Sequence, residues 1–535
     1  MTLETISNED PGQRPVAGPA APTEPQLRSG ARATALTTAV SLVLVGGVVT
    51  AAVRGTGHSS TAETLAPASA FAFAQVDLSL ADGQSSALSS LLGRFPDSPT
   101  HKGKGSLRDR VLRAMLRDSS DPHVDYDKDV KPWLGDHAAV AAWLDSSGKP
   151  QVEFMLQSKN DGAARASLHR ANAKLGVAFS HGYAVMAATQ ALSDAAVAAA
   201  QKSSLSNTGH FHSDVSRLTG PQLISGWVDV AAAAQAVRKA GGAANPLGTL
   251  PPSLFGGART LDQVKGRAVF GVRATKTYAE IVAQSIDSSS SAAGPVSSDM
   301  LKQLPDATIG GAEIASPGKI VRAGWGIVSG LFGMRESAMA SGTVTLGGSG
   351  SSNGSSVTIN PTVPAIVGRP APRPLSPIDQ IEKATGLRMP GDAETLLGSA
   401  MVVAYGGLQG QGLPKVAVVT RPANLATARA LAEHSRDVIA RNAPVQLSVG
   451  ARGSDLVLAS TDDYRRAVET GGRLGAQPGF TQAMGDLPDR VTFAAYANLA
   501  VIVPLLSHGQ RDLDRLAGLG VWASSDKFQL RLVVR

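Results

Sequence analysis

The chain contains no cysteine. This absence excludes disulfide bonds, thiolate metal sites, cysteine nucleophiles and a lipid-modified N-terminal cysteine. An exported protein of this kind must hold its fold by burial alone, which is feasible for domains of roughly 230 residues.

Aromatic and charged side chains are also scarce, at 4% and 17%, whereas 43% of the residues are hydrophobic. We therefore expect a folded chain whose cores consist of alanine, valine and leucine. Its 535 residues predict two or more domains. The 50 basic and 43 acidic residues are nearly balanced and form no basic block interleaved with aromatics, so we expect no nucleic-acid partner.

One long apolar run stands near the N-terminus. Residues 1–32 are rich in proline, alanine, glutamate and serine, and they predict a disordered cytoplasmic tail. Ala33 to Val53 carries no charge and would form a helix of about 31 Å, close to the hydrocarbon thickness of a bilayer. Arg28 and Arg32 precede this run, which favours a cytoplasmic N-terminus.

The run therefore predicts a single-pass protein of the cell membrane, with its C-terminal body extracytoplasmic and with the lipid bilayer as a partner of Ala33 to Val53. Two alternatives stay open. One is a cleaved signal peptide, which would have a shorter apolar region and a small-residue cleavage site, and the other is a buried soluble helix.

The body contains an internal repeat. Asp129 to Gly135 matches Asp392 to Gly398, and both stretches are followed by a run of small apolar residues. Trp227 to Asp229 matches Tyr496 to Asn498 in the same way. Further matches are Asp161 with Asn424, each expected to open an alanine-rich helix, Tyr183 to Thr189 with Asp455 to Thr461, and Leu205, Phe211 and Leu218 with Leu474, Phe480 and Leu487.

These matches place a linker at 54–63, a first module at 64–290 and a second module at 300–535, which carries a flexible insert at 347–377. The second copy has gained residues, and we expect an extra strand at Val445 to Val449. Strands alternate with helices without a regular parallel crossover pattern. The fold class is therefore α+β: two tandem related modules, each an antiparallel sheet with helices packed mainly on one face.

The sequence shares several features with one known group of proteins. These are the long tail, the single apolar helix, the repeated strand–helix unit, and the segments FAFAQVDL at 71–78 and PWLGDHAAVA at 132–141. They resemble the bacterial, actinobacterial-type membrane-anchored domain-of-unknown-function 3352 family. The resemblance covers most of residues 60–535. It implies the fold and the membrane anchor and carries no catalytic residues.

Two groups of residues are candidate metal ligands. Asp125, Asp127 and Asp129 stand at positions 1, 3 and 5 of a calcium-loop template, with Asp136 at position 12. The template needs glycine at position 6 and glutamate at position 12, so helix capping and a solvated acidic loop are the favoured interpretation. His210 and His212 would share a face on a strand, but only the intervening Phe211 recurs in the second copy, which favours a core position.

Other motifs are weaker. Gly350 to Gly354 matches the serine-hydrolase pattern but lies in a glycine/serine tract, and Gly324 to Gly330 nearly matches a dinucleotide fingerprint with the wrong spacing. Asp77 and Glu313 stand near the first strand of each copy and would need a suitable separation to act as an acid–base pair. We therefore predict no catalytic residue and no cofactor.

The leading hypothesis is a membrane-anchored extracytoplasmic binding or scaffold protein, because the copies share apolar positions, caps and glycines. Its partner would be an envelope protein, a glycan or an apolar ligand. Two alternatives are a carrier of lipid or another apolar ligand at the cell envelope, and an envelope hydrolase with dispersed catalytic residues.

Overall fold

The computed structural model describes residues 61–78, 84–95, 105–118, 125–239, 265–287, 294–322, 377–409, 413–442, 446–506 and 513–535. The tail at 1–32, the apolar run Ala33 to Val53, most of the insert at 347–377 and the motifs at 324–330 and 350–354 lie outside these residues. Within them, no helix has the length and hydropathy needed to cross a membrane.

The first half of the body, residues 61–287, alternates strands with short helices. In chain order its elements are the 3-10 turn η1 (Thr61–Thr64), β1 (Ala70–Asp77), α1 (Gln84–Leu92), α2 (Leu107–Asp118), a π-helical turn (Tyr126–Val130), β2 (Leu134–Leu144), β3 (Pro150–Ser158), α3 (Asp161–Ala171), β4 (Gly176–Ser180), β5 (Tyr183–Ala187), α4 (Gln190–Lys202), η2 (Leu205–Asn207), α5 (Phe211–Val215), β6 (Ile224–Asp229), α6 (Val230–Lys239), β7 (Arg267–Ala274) and β8 (Tyr278–Ile286).

The second half, residues 294–535, runs through a comparable series. Its elements are β9 (Val296–Ser297), α7 (Asp299–Lys302), β10 (Gly310–Ala315), α8 (Pro377–Thr385), α9 (Gly391–Leu397), β11 (Ala400–Gln409), β12 (Leu413–Thr420), α10 (Leu425–Asn442), β13 (Ser448–Arg452), β14 (Asp455–Ala459), α11 (Asp462–Thr470), η3 (Leu474–Ala476), α12 (Pro478–Met484), β15 (Arg490–Val491), β16 (Phe493–Ala497), α13 (Leu499–Leu506), η4 (Leu513–Arg515), β17 (Leu516–Ala523) and β18 (Lys527–Val534).

The strands of both halves form one 16-stranded sheet, and the short strands β9 and β15 form a separate ribbon. Every strand pairing in these sheets is antiparallel. The α+β class with a large antiparallel sheet is therefore confirmed. Instead of two separate sheets, however, the chain has a single sheet, because β8 of the first half pairs with β18 of the second.

Outward from this junction, the two halves have the same strand order. The first half reads β8-β7-β6-β1-β2-β3-β5-β4, and the second reads β18-β17-β16-β10-β11-β12-β14-β13. The registers agree as well: Phe73 lies opposite Trp227, and at the same place Gly311 lies opposite Tyr496. We call positions related in this way counterparts. The pairing of β8 with β18 has the same symmetry. Its centre is the opposed pair of Val282 and Gln529, so each pair on one side of this centre has a counterpart pair on the other.

Helices cover both faces of the sheet. The face that carries Phe73 and Trp227, called the inner face, packs against η1, α4 and α5; in the second half it packs against α7, α11 and α12. The opposite, outer face packs against α1, α2, α3 and α6 in the first half and against α10 in the second. The expectation that helices lie mainly on one face is therefore wrong. Strands covered on both sides read as nearly continuous apolar runs, such as 138–144 in β2, and such runs carry no sign of which side is covered.

Two local expectations also change. Asn160, one residue before Asp161, caps α3 by accepting a hydrogen bond from the Ala163 N–H at 3.0 Å. The strand expected as an addition at Val445 to Val449 is β13, and it is not an addition because β4 is its counterpart. The helix before it is what lengthens, since α10 has 18 residues and α3 has 11.

Side chains occupy backbone groups at both edges of the sheet. At edge strand β4, the Gln190 amide accepts from the Val177 N–H at 3.0 Å and donates to the Val177 carbonyl at 3.2 Å. At edge strand β13, Glu469 accepts from the Ala451 N–H at 2.9 Å. Backbone groups at a sheet edge are a template for another strand, so these contacts block edge-to-edge association.

At the junction, a buried carboxylate lies between two guanidinium groups. The Glu280 side chain is 0% exposed and contacts Arg531 of β18 through Nε at 2.8 Å and Nη2 at 2.6 Å. Its other oxygen accepts from Arg273 of β7. Arg531 also donates to the Gln482 carbonyl of α12 at 3.3 Å. The network therefore ties β7, β8, β18 and α12 together across the junction.

Replacing this carboxylate tests the importance of the junction. We expect Glu280→Gln to lower the free energy of unfolding by about 3 kcal/mol, because two arginines then lack their counter-charge in a buried site. The matched control is Lys527→Gln at the exposed counterpart position, for which we expect a change within about 0.5 kcal/mol. Chemical denaturation followed by circular dichroism measures both; equal losses would contradict a special role of the ionic network.

Candidate functional site

The four aspartates of the calcium template each have their own partners. Asp125 caps the π-helical turn by accepting from the Asp127 N–H at 2.9 Å and the Lys128 N–H at 3.2 Å. Asp127 pairs with Arg113 at 2.9 Å. The other two carboxylates bind cations elsewhere: Asp129 pairs with Arg170 at 2.8 Å, and Asp136 pairs with Arg108 at 2.7 Å and with Lys159 at 3.2 Å.

These contacts direct the carboxylates to different cations. Across the described ranges, no three histidine, aspartate or glutamate side chains are grouped so that they could hold a metal ion. The arrangement fits capping and ion pairing in an acidic loop.

The repeated aspartates Asp129 and Asp392 make the same bond in both halves. Asp129 accepts from the N–H of Asp125 at 2.9 Å, and Asp392 accepts from the N–H of Arg388 at 2.8 Å. Each side chain thus reaches back to a backbone N–H four residues earlier, at the start of a helical turn. The sequence match therefore marks a shared capping contact, although the residue lies inside the first turn and is not the N-cap itself.

His210 and His212 lie at the start of a helix, not on a strand. His210 precedes α5 and stacks on Trp227 with ring centroids 5.7 Å apart, while His212 is exposed. Residues two apart on a helix do not face each other, so the two imidazoles are not brought together. The buried group here is Asp214, which accepts from the Trp227 indole at 2.9 Å and from Arg267 at 2.6 Å.

Asp77 and Glu313 do not form a pair. They lie on β1 and β10, seven strand spacings apart in the sheet order, or about 33 Å along the sheet. They are not counterparts either: the register places Gln75 at the position equivalent to Glu313, and Ala315 at the position equivalent to Asp77. An acid–base mechanism that uses both carboxyls is therefore wrong.

In the first half, polar side chains gather on the inner face where β5 begins. His137 Nδ1 lies 3.9 Å from Asp77 Oδ1, and Tyr183 is only 1% exposed. Burial raises the pKa of the Tyr183 phenol, the Thr61 hydroxyl partly offsets this, and the charges of Glu63 and Asp77 raise it further. We call Asp77, His137, Tyr183 and Glu63 the first polar cluster.

The second half has a polar cluster at the corresponding place, where β14 begins. Asp455 accepts two hydrogen bonds from Arg421, at 2.8 and 3.1 Å. Arg452 approaches the same carboxylate at 3.7 Å. The bond to Asp455 raises the pKa of Arg421, which burial partly opposes. We call Arg421, Asp455 and Arg452 the second polar cluster.

Tyr183 and Asp455 are counterparts, so the two clusters share one location and differ in chemistry. The first combines an imidazole, a phenol and carboxyls, whereas the second is an ion-paired group with two guanidinium ions. The match of 183–189 with 455–461 aligns Tyr183 with Asp455. From the sequence, this alignment alone pointed to the location of the two clusters. It gave no indication that His137 lies near Tyr183 or that Arg421 lies beside Asp455.

Glu313 is a fully buried carboxyl under α7. Its Oε2 accepts from the Leu301 N–H at 3.1 Å, and its Oε1 is buried without a hydrogen-bond partner. Burial raises the pKa of Glu313 to about 7, against smaller opposing effects from the Leu301 N–H and the Arg421 charge. Near neutral pH, the side chain therefore exchanges between its neutral and ionised forms inside the core.

No protein-family model matches the chain, and comparisons with curated proteins and with solved structures give no match.

The buried carboxyl predicts a pH dependence of stability. Its folded-state pKa of about 7 exceeds the ordinary 4.5, so its contribution is fully present below pH 4.5 and is lost as pH rises towards 7. We expect Glu313→Gln, which supplies the amide found at the counterpart Gln75, to reduce the loss of unfolding free energy between pH 5 and pH 8 by about 2 kcal/mol.

Urea denaturation at a series of pH values measures this difference. The control is Glu433→Gln, because Glu433 lies on the surface of α10 in an ion pair with Arg429 and should leave the pH profile unchanged. A Glu313→Gln profile that runs parallel to wild type would contradict the assignment.

Proposed function

We propose that the protein is a single-pass, extracytoplasmic binding or scaffold protein of the cell envelope, as the resemblance to the domain-of-unknown-function 3352 family implies. The parts would be the cytoplasmic tail 1–32, the membrane helix 33–53, the linker 54–63, and two related modules at 64–290 and 300–535. The partner would be an envelope protein, a glycan or an apolar ligand.

The observation that carries the proposal is the relation between the halves. They agree in strand order, in register and in the capping contacts of Asp129 and Asp392. These shared features serve folding, and they support a duplicated scaffold.

The polar residues differ between counterparts. Tyr183 corresponds to Asp455, Gln75 to Glu313, and Glu153 to Ala417, as the strand registers give them. In the second polar cluster, Arg421 and Arg452 both lie against the carboxylate of Asp455, so the charges of this cluster already have partners. This pattern favours two modules with separate surface roles over one hydrolytic chemistry repeated in each half.

An apolar helix on the surface supplies a candidate contact. α13 has the sequence LAVIVPLL and packs on β17 and η4. None of residues 499–504 is buried, and Val501 is 40% exposed. Its counterpart α6 buries Val230, Ala233, Ala234 and Ala236. A helix that is apolar all round normally lies in an interior or against a partner, so α13 is the part of the body best suited to contact one.

The second candidate function is a carrier of lipid or another apolar ligand. It is favoured by further exposed apolar side chains in the same half, since Val403 and Leu408 of β11 are 37% and 56% exposed. Val403 alternates with the buried Val402 and Ala404, so it lies on the outer face. An apolar ligand could contact these side chains together with α13 only if the three form one continuous patch.

Photo-crosslinking in intact cells separates these functions. A photoreactive amino acid is placed at Val501, and the matched control is the same group at Val152 in the first half, which is 39% exposed. We expect an adduct of defined mass at position 501 and none at 152. A protein or glycan adduct supports the binding role, and a lipid adduct supports the carrier. Equal labelling at both positions, or none at either, contradicts both.

The anchor is tested independently. We expect the full chain to stay in the membrane pellet after carbonate extraction, and a protease added outside the membrane to degrade the body but not the tail. Release of the chain by carbonate would refute the anchor without affecting the crosslinking result.

A further inference from the structure

Glu153 is a fully buried carboxyl that, unlike Glu280 and Asp214, has no arginine partner. It lies on β3 opposite Ala141 of β2, and its side chain is 0% exposed. Both carboxyl oxygens are buried without a hydrogen-bond partner. An unpaired buried carboxylate ion is far more costly than a neutral carboxyl group, because its hydration is lost without replacement.

The cover over this carboxyl consists of two elements. Glu153 lies on the same side of β3 as Met155, whose inner-face cluster includes Ala62 of η1 and Ala196 of α4. η1 packs on β2, and α4 packs on β5 and β4, so the two elements cover this face of the sheet on either side of β3. Two further polar atoms in this region, Trp143 Nε1 and Ser193 Oγ, are also buried without a partner.

No cation in these elements faces the carboxyl. The charged or titratable residues of the surrounding elements are Glu63 in η1, Asp136 and His137 in β2, Tyr183 in β5, and Asp194 and Lys202 in α4; Asp136 pairs with Arg108 and Lys159, and His137 lies beside Asp77. Asp194 accepts from Gln190 at the exposed start of α4, and Lys202 is exposed at its end. An ionised Glu153 would therefore be buried without a counter-charge.

We propose that Glu153 is a protonation-dependent latch: its neutral form allows α4 and η1 to close on the inner face of the first half, and its ionisation releases them. Burial raises the pKa of Glu153 to about 8, so the closed state predominates at neutral pH. As pH rises from the ordinary 4.5 towards this value, the state in which the two covering elements are lifted becomes progressively more favourable, because water then reaches the carboxylate.

The second half provides an internal control. The counterpart of Glu153 is Ala417, and the counterpart of α4 is α11, which follows Thr461 as α4 follows Thr189. The latch is therefore confined to the first half. It goes beyond the proposed binding function and does not depend on the membrane anchor.

Hydrogen-exchange mass spectrometry of the full chain in detergent tests the latch, with correction for the intrinsic pH dependence of exchange. We expect wild-type α4 to lose protection by up to about tenfold per pH unit as pH rises from 5 towards the pKa of Glu153, and to level off above it, while α11 keeps its protection. Glu153→Gln cannot ionise and should keep α4 protected throughout. The same pH response in wild type and Glu153→Gln, or equal loss in α4 and α11, would overturn the proposal.

A second measurement covers the case in which Glu153→Gln does not fold. In Glu313→Gln, Glu280 is paired with Arg273 and Arg531, so Glu153 is the remaining buried glutamate described above that has no ion-pair partner. Infrared spectroscopy detects a protonated carboxyl directly. We expect its band at pH 7 and its disappearance by pH 9.5, together with the loss of protection in α4. Absence of the band at pH 7, or its disappearance without any change in α4, would refute the latch.

Discussion

At the centre of the sheet, Glu280 lies out of contact with solvent between Arg273 and Arg531. The two halves share a strand order, but the pairing of β8 with β18 is what makes them one body. This junction is symmetric in its backbone and asymmetric in its charges, because the pair of Glu280 with Arg531 corresponds to the pair of Gln284 with Lys527 on the other side of the central position. A backbone register can slide by two residues without changing which side chains face the core. A buried ion pair at a single position fixes the register.

Much of the fold was accessible from the sequence because the same local physics operates twice. The match of Trp227 with Tyr496 placed two strands in the same register, and the match of Asp129 with Asp392 identified a capping contact that recurs with nearly equal geometry. Caps, turns and apolar periodicity are properties of neighbouring residues, so a single sequence carries them. The membrane anchor rests on residues 33–53, which lie outside the described residues. The anchor and the family resemblance therefore stay predictions.

Features that depend on residues distant in the chain were not accessible. Nothing in the pattern of β8 or β18 indicated that they pair, so two sheets were expected instead of one. His210 and His212 were considered as strand residues, although a helix of five residues begins at Phe211. The acidic character of Asp77 and Glu313 suggested a pair, whereas their registers place them at different positions. The buried carboxyl Glu153 gave no signal, because its burial depends on elements distant in the chain that cover the inner face.

The side chains at the outer edges of the sheet have a consequence for how such a chain can evolve. A repeat that joins its copy through one edge strand still has another edge free, and repeated duplication could lengthen the sheet without limit. Here Gln190 occupies the backbone of β4, and Glu469 occupies that of β13. A strand of a third module would meet a side chain already bonded to Val177 at one edge and to Ala451 at the other. An amide at one end of the sheet and a carboxylate at the other thus stand where a further strand would have to join, so growth by duplication would first require their replacement.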